Sequence, residues 1–173
     1  MPRTDPDLAG DELTLLSQFL EFHRATLVEK VGGLSAEQFA HRAVPTSEIT
    51  LGGMVKHLAL VEDDWFQVRL LGRAEVEPWA SAPFDEDRDW DWHSAADDSP
   101  EDLLGLYDAA CARSRAAVTE LGGDLETLSV ETDRETGGRF SLRWIMIHMI
   151  EETARHNGHA DLLRESIDGS VGE

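Results

Sequence analysis

Apolar side chains recur at three- and four-residue intervals in four long stretches of the chain, the spacing that lines one face of an α-helix. The first begins near Asp11 and carries Leu13, Leu16, Phe19 or Leu20, His23, Leu27 and Val31 before Gly32-Gly33 stops it. Ser35-Ala-Glu-Gln38 then has the form of a capping box and predicts a short helical turn ahead of Pro45. The second stretch runs from about Leu51 to Leu71, with Thr50 as its N-cap and Met54, Leu58, Val61, Trp65, Val68 and Leu70 or Leu71 along its apolar face. The third opens on Ser99-Pro100 followed by two acids, a start favoured by both capping and the helix dipole. It places Leu103, Leu106 or Tyr107, Ala110, Ser114, Ala117 and Leu121 on one side, and Gly122-Gly123 closes it. The fourth is capped by Ser141 and takes in the segment from Trp144 to Glu165. Four such helices predict an all-α four-helix bundle.

Two connections interrupt the pattern. Residues 73–99 combine two prolines, dense acid and Trp79, Trp90 and Trp92 with no sustained period. A connection this long between helices two and three of a compact domain is unusual, and it reads as a surface excursion pinned by its tryptophans or as a cover for a substrate. Residues 124–140 are polar, with TLSVET as a short extended piece. The expected organisation is a loose arm over residues 1–10, one bundle domain over 11–168 and a tail over 169–173.

Composition narrows the function classes. A formal charge of −20 argues against contact with a phosphate backbone, which needs clustered cations. No run approaches the roughly 20 apolar residues of a membrane span. The N-terminus lacks an apolar leader segment, so a cytoplasmic location is expected. Cys111 is the only cysteine, which excludes an internal disulfide and a Cys-based zinc site; its small-residue surroundings suggest a buried thiol.

The fourth stretch, WIMIHMIEETARHNGHADLLRE, spends its most regular face on His148, Glu152, His156 and His159. At about 100° per residue these four fall within an arc of roughly 80°, facing one neighbour. Glu152 and His156, one turn apart, can direct a carboxylate oxygen and an imidazole nitrogen at one point. His57, close to the apolar stripe of helix two, supplies a third donor if the two helices pack together. Two imidazoles and a carboxylate with an open position make a common catalytic zinc set, and the same donors suit non-haem iron or nickel. The competing reading is a set of hydrogen-bonded core histidines. Glu151 points about 100° away from Glu152 and is given no metal role, while Glu62, Asp63 and Asp64 read as surface charge.

On the runs HMIEETARHNGHADLLRE and LSAEQFAHRAVPTSEITLGGMVKHLALVEDDWF the chain resembles the DinB-like superfamily, also known as the YfiT-like metal-dependent hydrolases. Within it the chain looks most similar to an uncharacterised actinobacterial branch that includes a mini-circle protein. The family pattern is a histidine in the second helix, two ligands four apart in the fourth, and then x-Gly-Gln. Here those positions are His57, Glu152 and His156, with Asn157-Gly158-His159 where the family has Arg-Gly-Gln. Many relatives carry histidine in place of Glu152; the carboxylate resembles the mycothiol-dependent maleylpyruvate isomerase. The resemblance implies a divalent metal (zinc, with nickel or iron as other candidates), use of a low-molecular-weight thiol cofactor such as mycothiol, a small-molecule substrate and a homodimer. It implies a thiol S-transferase or a hydrolase, against the alternative of a non-catalytic metal-binding or stress-response bundle. His148 then reads as a packing residue or a support behind the ligands. His159 reads as a group that orients Glu152 or a bound water, or else as a surface histidine.

Overall fold

The computed structural model describes residues 3–172; Met1 and Pro2 of the arm and Glu173 of the tail lie outside them. Four long helices carry the fold: α1 (Glu12–Val31), α3 (Leu51–Asp63), α5 (Pro100–Glu120) and α6 (Leu142–Asp168). Two single turns accompany them, α2 (Ala36–Phe39) and α4 (Trp90–His93). Their starts follow the capping chemistry in the sequence. Asp11, Thr50, Ser99 and Ser141 each accept a hydrogen bond from a backbone N–H of the first turn, and Ser35 and Gln38 close the capping box. At the far end of α6, Gly169 takes the left-handed conformation (φ 79°) that terminates a helix without a Cβ clash. Within the N-terminal arm, Asp7 exchanges hydrogen bonds with the Gln18 side chain of α1.

The helices pack α1 along α6, α3 along α5, and α3 against α6. Their apolar faces form two buried clusters. One is built from Leu27, Leu51, Met54, Leu58, Leu103 and Tyr107; the other contains Leu20, Phe66, Leu70, Ile145, Met146 and Met149. The extended piece at TLSVET is strand β1 (Leu128–Thr132), paired antiparallel with β2 (Arg139–Ser141), a small ribbon that leads directly into α6. Among the described residues, no helix is long and apolar enough to cross a membrane.

The second long helix departs from expectation. After Asp63 its backbone changes to π-type hydrogen bonding over Asp64–Leu70. Glu62 and Asp63 are not surface charges: they are 1% and 2% exposed. Arg24 of α1 grips both carboxylate oxygens of Glu62, at 2.7 and 2.5 Å, and Arg113 of α5 does the same for Asp63, at 2.8 Å from each. Charges are tolerated in an interior only when paired and hydrogen-bonded, and here the partners come from different helices. Asp64 is half-exposed and paired with Arg69, nearer to expectation.

The excursion over 73–99 is ordered by short helical turns, Trp79–Ser81, α4 and Ser94–Asp97. Its tryptophans pin it. Trp79 is buried and donates its indole N–H to Asp63, Trp90 receives the Lys56 ammonium over its ring at 4.5 Å, and Trp92 lies on His57. Both lysines of the chain are in ion pairs, Lys30 with Asp161 and Lys56 with Asp98, and Cys111 is buried between α5 and its neighbours.

Candidate metal centre

The site begins with the first turns of α3. Thr50 fixes the helix start, and Gly53 leaves a gap into which α4 settles. A Cβ at that position would stand 3.0 Å from the Trp92 ring and 3.1 Å from the Trp92 carbonyl oxygen. One turn further on the same face is His57, and the Trp92 ring stacks on its imidazole, centroids 4.5 Å apart at 26°. The residue before that tryptophan, Asp91, is 3% exposed and places Oδ2 at 2.7 Å from His57 Nδ1. An ionised carboxylate can only accept, so Nδ1 donates to it and Nε2 is turned toward α6.

On α6, Glu152 and His156 meet that nitrogen. Glu152 Oε1 lies 3.5 Å from His57 Nε2 and 3.1 Å from His156 Nε2. One donor atom from each of the three residues falls within 4.8 Å of the others. The two imidazoles are set at 63° with centroids 5.1 Å apart, so their nitrogens converge from different directions. Each side chain keeps an edge toward solvent, from 11% for His156 to 21% for His57. A reactant can therefore approach.

The electrostatics of this cluster call for positive charge. With its proton held by Asp91, a neutral His57 presents a lone pair to a carboxylate oxygen, a repulsive pairing unless a proton or a cation lies between. Burial opposes charging of His57, yet the hydrogen bonds to Asp91 and Glu152 outweigh it and raise the pKa above the ordinary histidine value. Hydrogen bonds to His156 and His57 hold the Glu152 carboxyl far below the usual range, so it is ionised at neutral pH. His156 Nδ1 is buried without a hydrogen-bond partner among the described residues. This donor set fits a divalent cation: two imidazoles, one carboxylate, and a second carboxylate fixing one imidazole from behind.

The remaining histidines of that face separate. His159 sits beside His156, ring centroids 5.5 Å apart, with its own Nδ1 buried and unpartnered among the described residues; burial, then the neighbouring His156, lowers its pKa. His148 turns to an aromatic group, stacking on Trp144 and meeting Trp65 edge-on. Glu151 is exposed, 3.8 Å from His148 Nδ1. Asp91 is the one member of the centre that sequence reasoning missed. Its only signal is the acid–tryptophan alternation Asp89-Trp90-Asp91-Trp92, in which a side chain that packs is adjacent to one that accepts.

A family model described as Mycothiol-S-transferase matches residues 15–169. In three dimensions the chain is similar to the crystal structure of a conserved protein of a locus from Enterococcus faecalis. The TM-score is 0.69 at 17% identity, covering 94% of this chain and 100% of that one, a likeness of fold alone. The chain matches no curated protein.

Proposed function

The chain belongs to the mycothiol-S-transferase family, a DinB-like and metal-dependent one, and from that premise we propose that His57, Glu152 and His156 hold one divalent cation for thiol transfer to an electrophile. The thiol is of the mycothiol class, and zinc is the metal the donors suit best, with nickel and iron sharing the set. Bound there, the cation supplies acidity, lowering the pKa of a thiol or a water that reaches it. Every other part is played by the chain. Asp91 keeps the proton on His57 Nδ1 and so keeps Nε2 available. Trp92 covers one face of His57 and excludes water from it. Glu152 contributes the negative charge that two neutral imidazoles lack. In the overall reaction a sulfur–carbon bond forms as the bond from carbon to the leaving group breaks. The leaving group departs with the bonding pair, and the thiol proton passes to water. Hydrolysis, with water in place of the thiol, would use the same donors.

The observation that carries this reading is the convergence of His57 Nε2 and His156 Nε2 on Glu152 Oε1, at 3.5 and 3.1 Å, with the other ring nitrogen of His57 2.7 Å from Asp91. The test is elemental analysis of protein purified without a polyhistidine tag, followed by mycothiol conjugation assays with and without chelator. Near-stoichiometric metal and chelator-sensitive turnover are expected. Protein that stays metal-free after zinc loading, or turnover indifferent to chelator, would remove the proposal.

Asp91 provides a graded test. Asp91→Asn keeps the shape but loses the charge behind His57, and supporting groups of this kind contribute roughly 10–100-fold to metal affinity. Competition against a chromophoric chelator should show a loss in that range, with a circular-dichroism spectrum like that of the parent. Unchanged affinity would mean that Asp91 only packs.

A further inference from the structure

The chain between α3 and α5 is anchored at several points, and not all of them are alike. Some stand apart from the metal donors: Trp79 donates its indole N–H to Asp63, and Lys56 lies over the Trp90 ring while paired with Asp98. The anchors at the centre of α4 converge on one imidazole. Asp91 Oδ2 takes the edge of His57 at Nδ1 from 2.7 Å, and the Trp92 ring takes its face at 4.5 Å. Trp92 also reaches His156, with ring centroids 5.7 Å apart at 43°. Two consecutive side chains of α4 therefore rest on the histidines that offer nitrogen to a cation.

Local structure does little to keep α4 there. It is one turn long, Trp90–His93, without a side-chain hydrogen bond capping its start, and a helix that short does not persist on its own. Ser94–Asp97 continues it as a 3₁₀ turn, and His93 pairs with Asp87 and Glu48 at the surface. A segment held by a few side-chain contacts lies at the low-stability end of a fold.

The contacts that hold α4 also prepare His57. Asp91 fixes the ring through Nδ1 and Trp92 restricts its rotation, so Nε2 is kept toward Glu152, 3.5 Å away. A cation on Nε2 draws electron density from the ring and makes Nδ1–H a stronger donor to the Asp91 carboxylate. Events at the two nitrogens are thus coupled, and coupling between two equilibria is reciprocal. If seating α4 raises metal affinity by the roughly 10–100-fold that groups behind a ligand supply, the metal favours the seated α4 by the same factor.

We infer that α4 is a metal-responsive strap. A cation held by His57, Glu152 and His156 locks Trp90–His93 onto α3, and loss of the ion loosens that turn and uncovers the face of His57. The inference rests on the metal-holding part of the function proposed above and not on thiol transfer. Its consequence for the site is that Trp92 stands firmly beside the two histidines only once the ion is in place.

Hydrogen–deuterium exchange of the full-length protein, metal-free and zinc-loaded, tests this, with zinc content measured on the same samples. Amides of residues 88–96 should exchange about 10–100-fold more slowly in the loaded protein, beyond any slowing in α5, which reports opening of the whole bundle. Asp91→Asn and Trp92→Leu, studied at zinc concentrations that restore full loading, should lose most of that slowing. The factor each variant loses in zinc affinity should match the factor it loses in protection, an agreement that a mere packing defect would not produce. Trp79→Phe, which breaks an anchor away from the donors, should keep the ratio between loaded and metal-free rates.

Full zinc loading with unchanged exchange at residues 88–96 would overturn the strap and leave the metal reading standing. So would slowing that is equal in 88–96 and α5, slowing that persists in both Asp91→Asn and Trp92→Leu, or a ratio lost in Trp79→Phe. Protein that takes up no zinc would remove the metal reading and the strap together.

Discussion

Glu152→Ala protein should leave purification with almost no bound metal, and zinc should no longer raise its melting temperature. Glu152 Oε1 is the atom that both imidazole nitrogens face, and the carboxylate is the only negative charge among the three donors. Its removal leaves two neutral nitrogens and nothing to offset a divalent charge. The loss should exceed the roughly 10–100-fold cost of altering a supporting group. A ligand that binds only the folded state at 100 times its dissociation constant stabilises it by about 2.7 kcal/mol, so excess zinc should produce a clear thermal shift in the parent chain. His57→Ala should behave likewise, because it removes the one donor that α3 contributes. Metal content and zinc-dependent melting, measured side by side, check this. Parent-level metal in both variants would show that the three residues form only a hydrogen-bonded cluster.

A second large effect lies in the bundle interior, away from any reactant. Glu62→Ala should lower stability by about 3–5 kcal/mol, because it takes from the buried Arg24 guanidinium the carboxylate that pairs with it through two hydrogen bonds. The side chains of Arg24 and Glu62 are 6% and 1% exposed, so water cannot take over the lost partner. For a chain of this size the expected fall in melting temperature is on the order of 10 °C. Glu21 still reaches Arg24 from its own helix, which limits the damage without cancelling it. Arg24→Leu combined with Glu62→Leu should recover much of the loss, since replacing both charges with apolar groups avoids stranding either one. Denaturant unfolding of the single and double variants separates the two outcomes. A single variant as stable as the parent would mean that Arg24 finds another partner.

The parts of this fold written in local spacing are legible in the amino-acid sequence. Helix starts are decided within four residues by Asp11, Thr50, Ser99 and Ser141, and helix faces by recurrence every three or four positions. Glu152 and His156 belong to that class, one turn apart on one helix. His57 is legible through its place beside an apolar stripe and through resemblance. Interactions that join distant segments are not. Asp91 reaches His57 across 34 positions from a stretch without period. Glu62 and Asp63 read as exposed because their cations stand 38 and 50 positions away, on α1 and α5. The π-type turn at Asp64–Leu70 has no residue signature, since it depends on which carbonyl each N–H reaches and not on side-chain type. The divided fate of His148 and His159 also depends on neighbours: Trp65, beyond the end of α3, claims the first, and the second stays beside His156.

The thiol transfer proposed above would expose the chain to alkylation, and the placement of its thiol and amines bears on that hazard. The single thiol, Cys111, is 2% exposed, and burial first, then the nearby Glu62, pushes its pKa up, so almost no thiolate forms at neutral pH. Lys30 and Lys56 hold their ammonium groups against Asp161 and Asp98. The basic residues are otherwise arginine, whose delocalised guanidinium does not deprotonate and so has no free amine to offer. Under the proposed reaction an incoming thiol would meet little competition from the chain's own thiol and lysine amines for the electrophile.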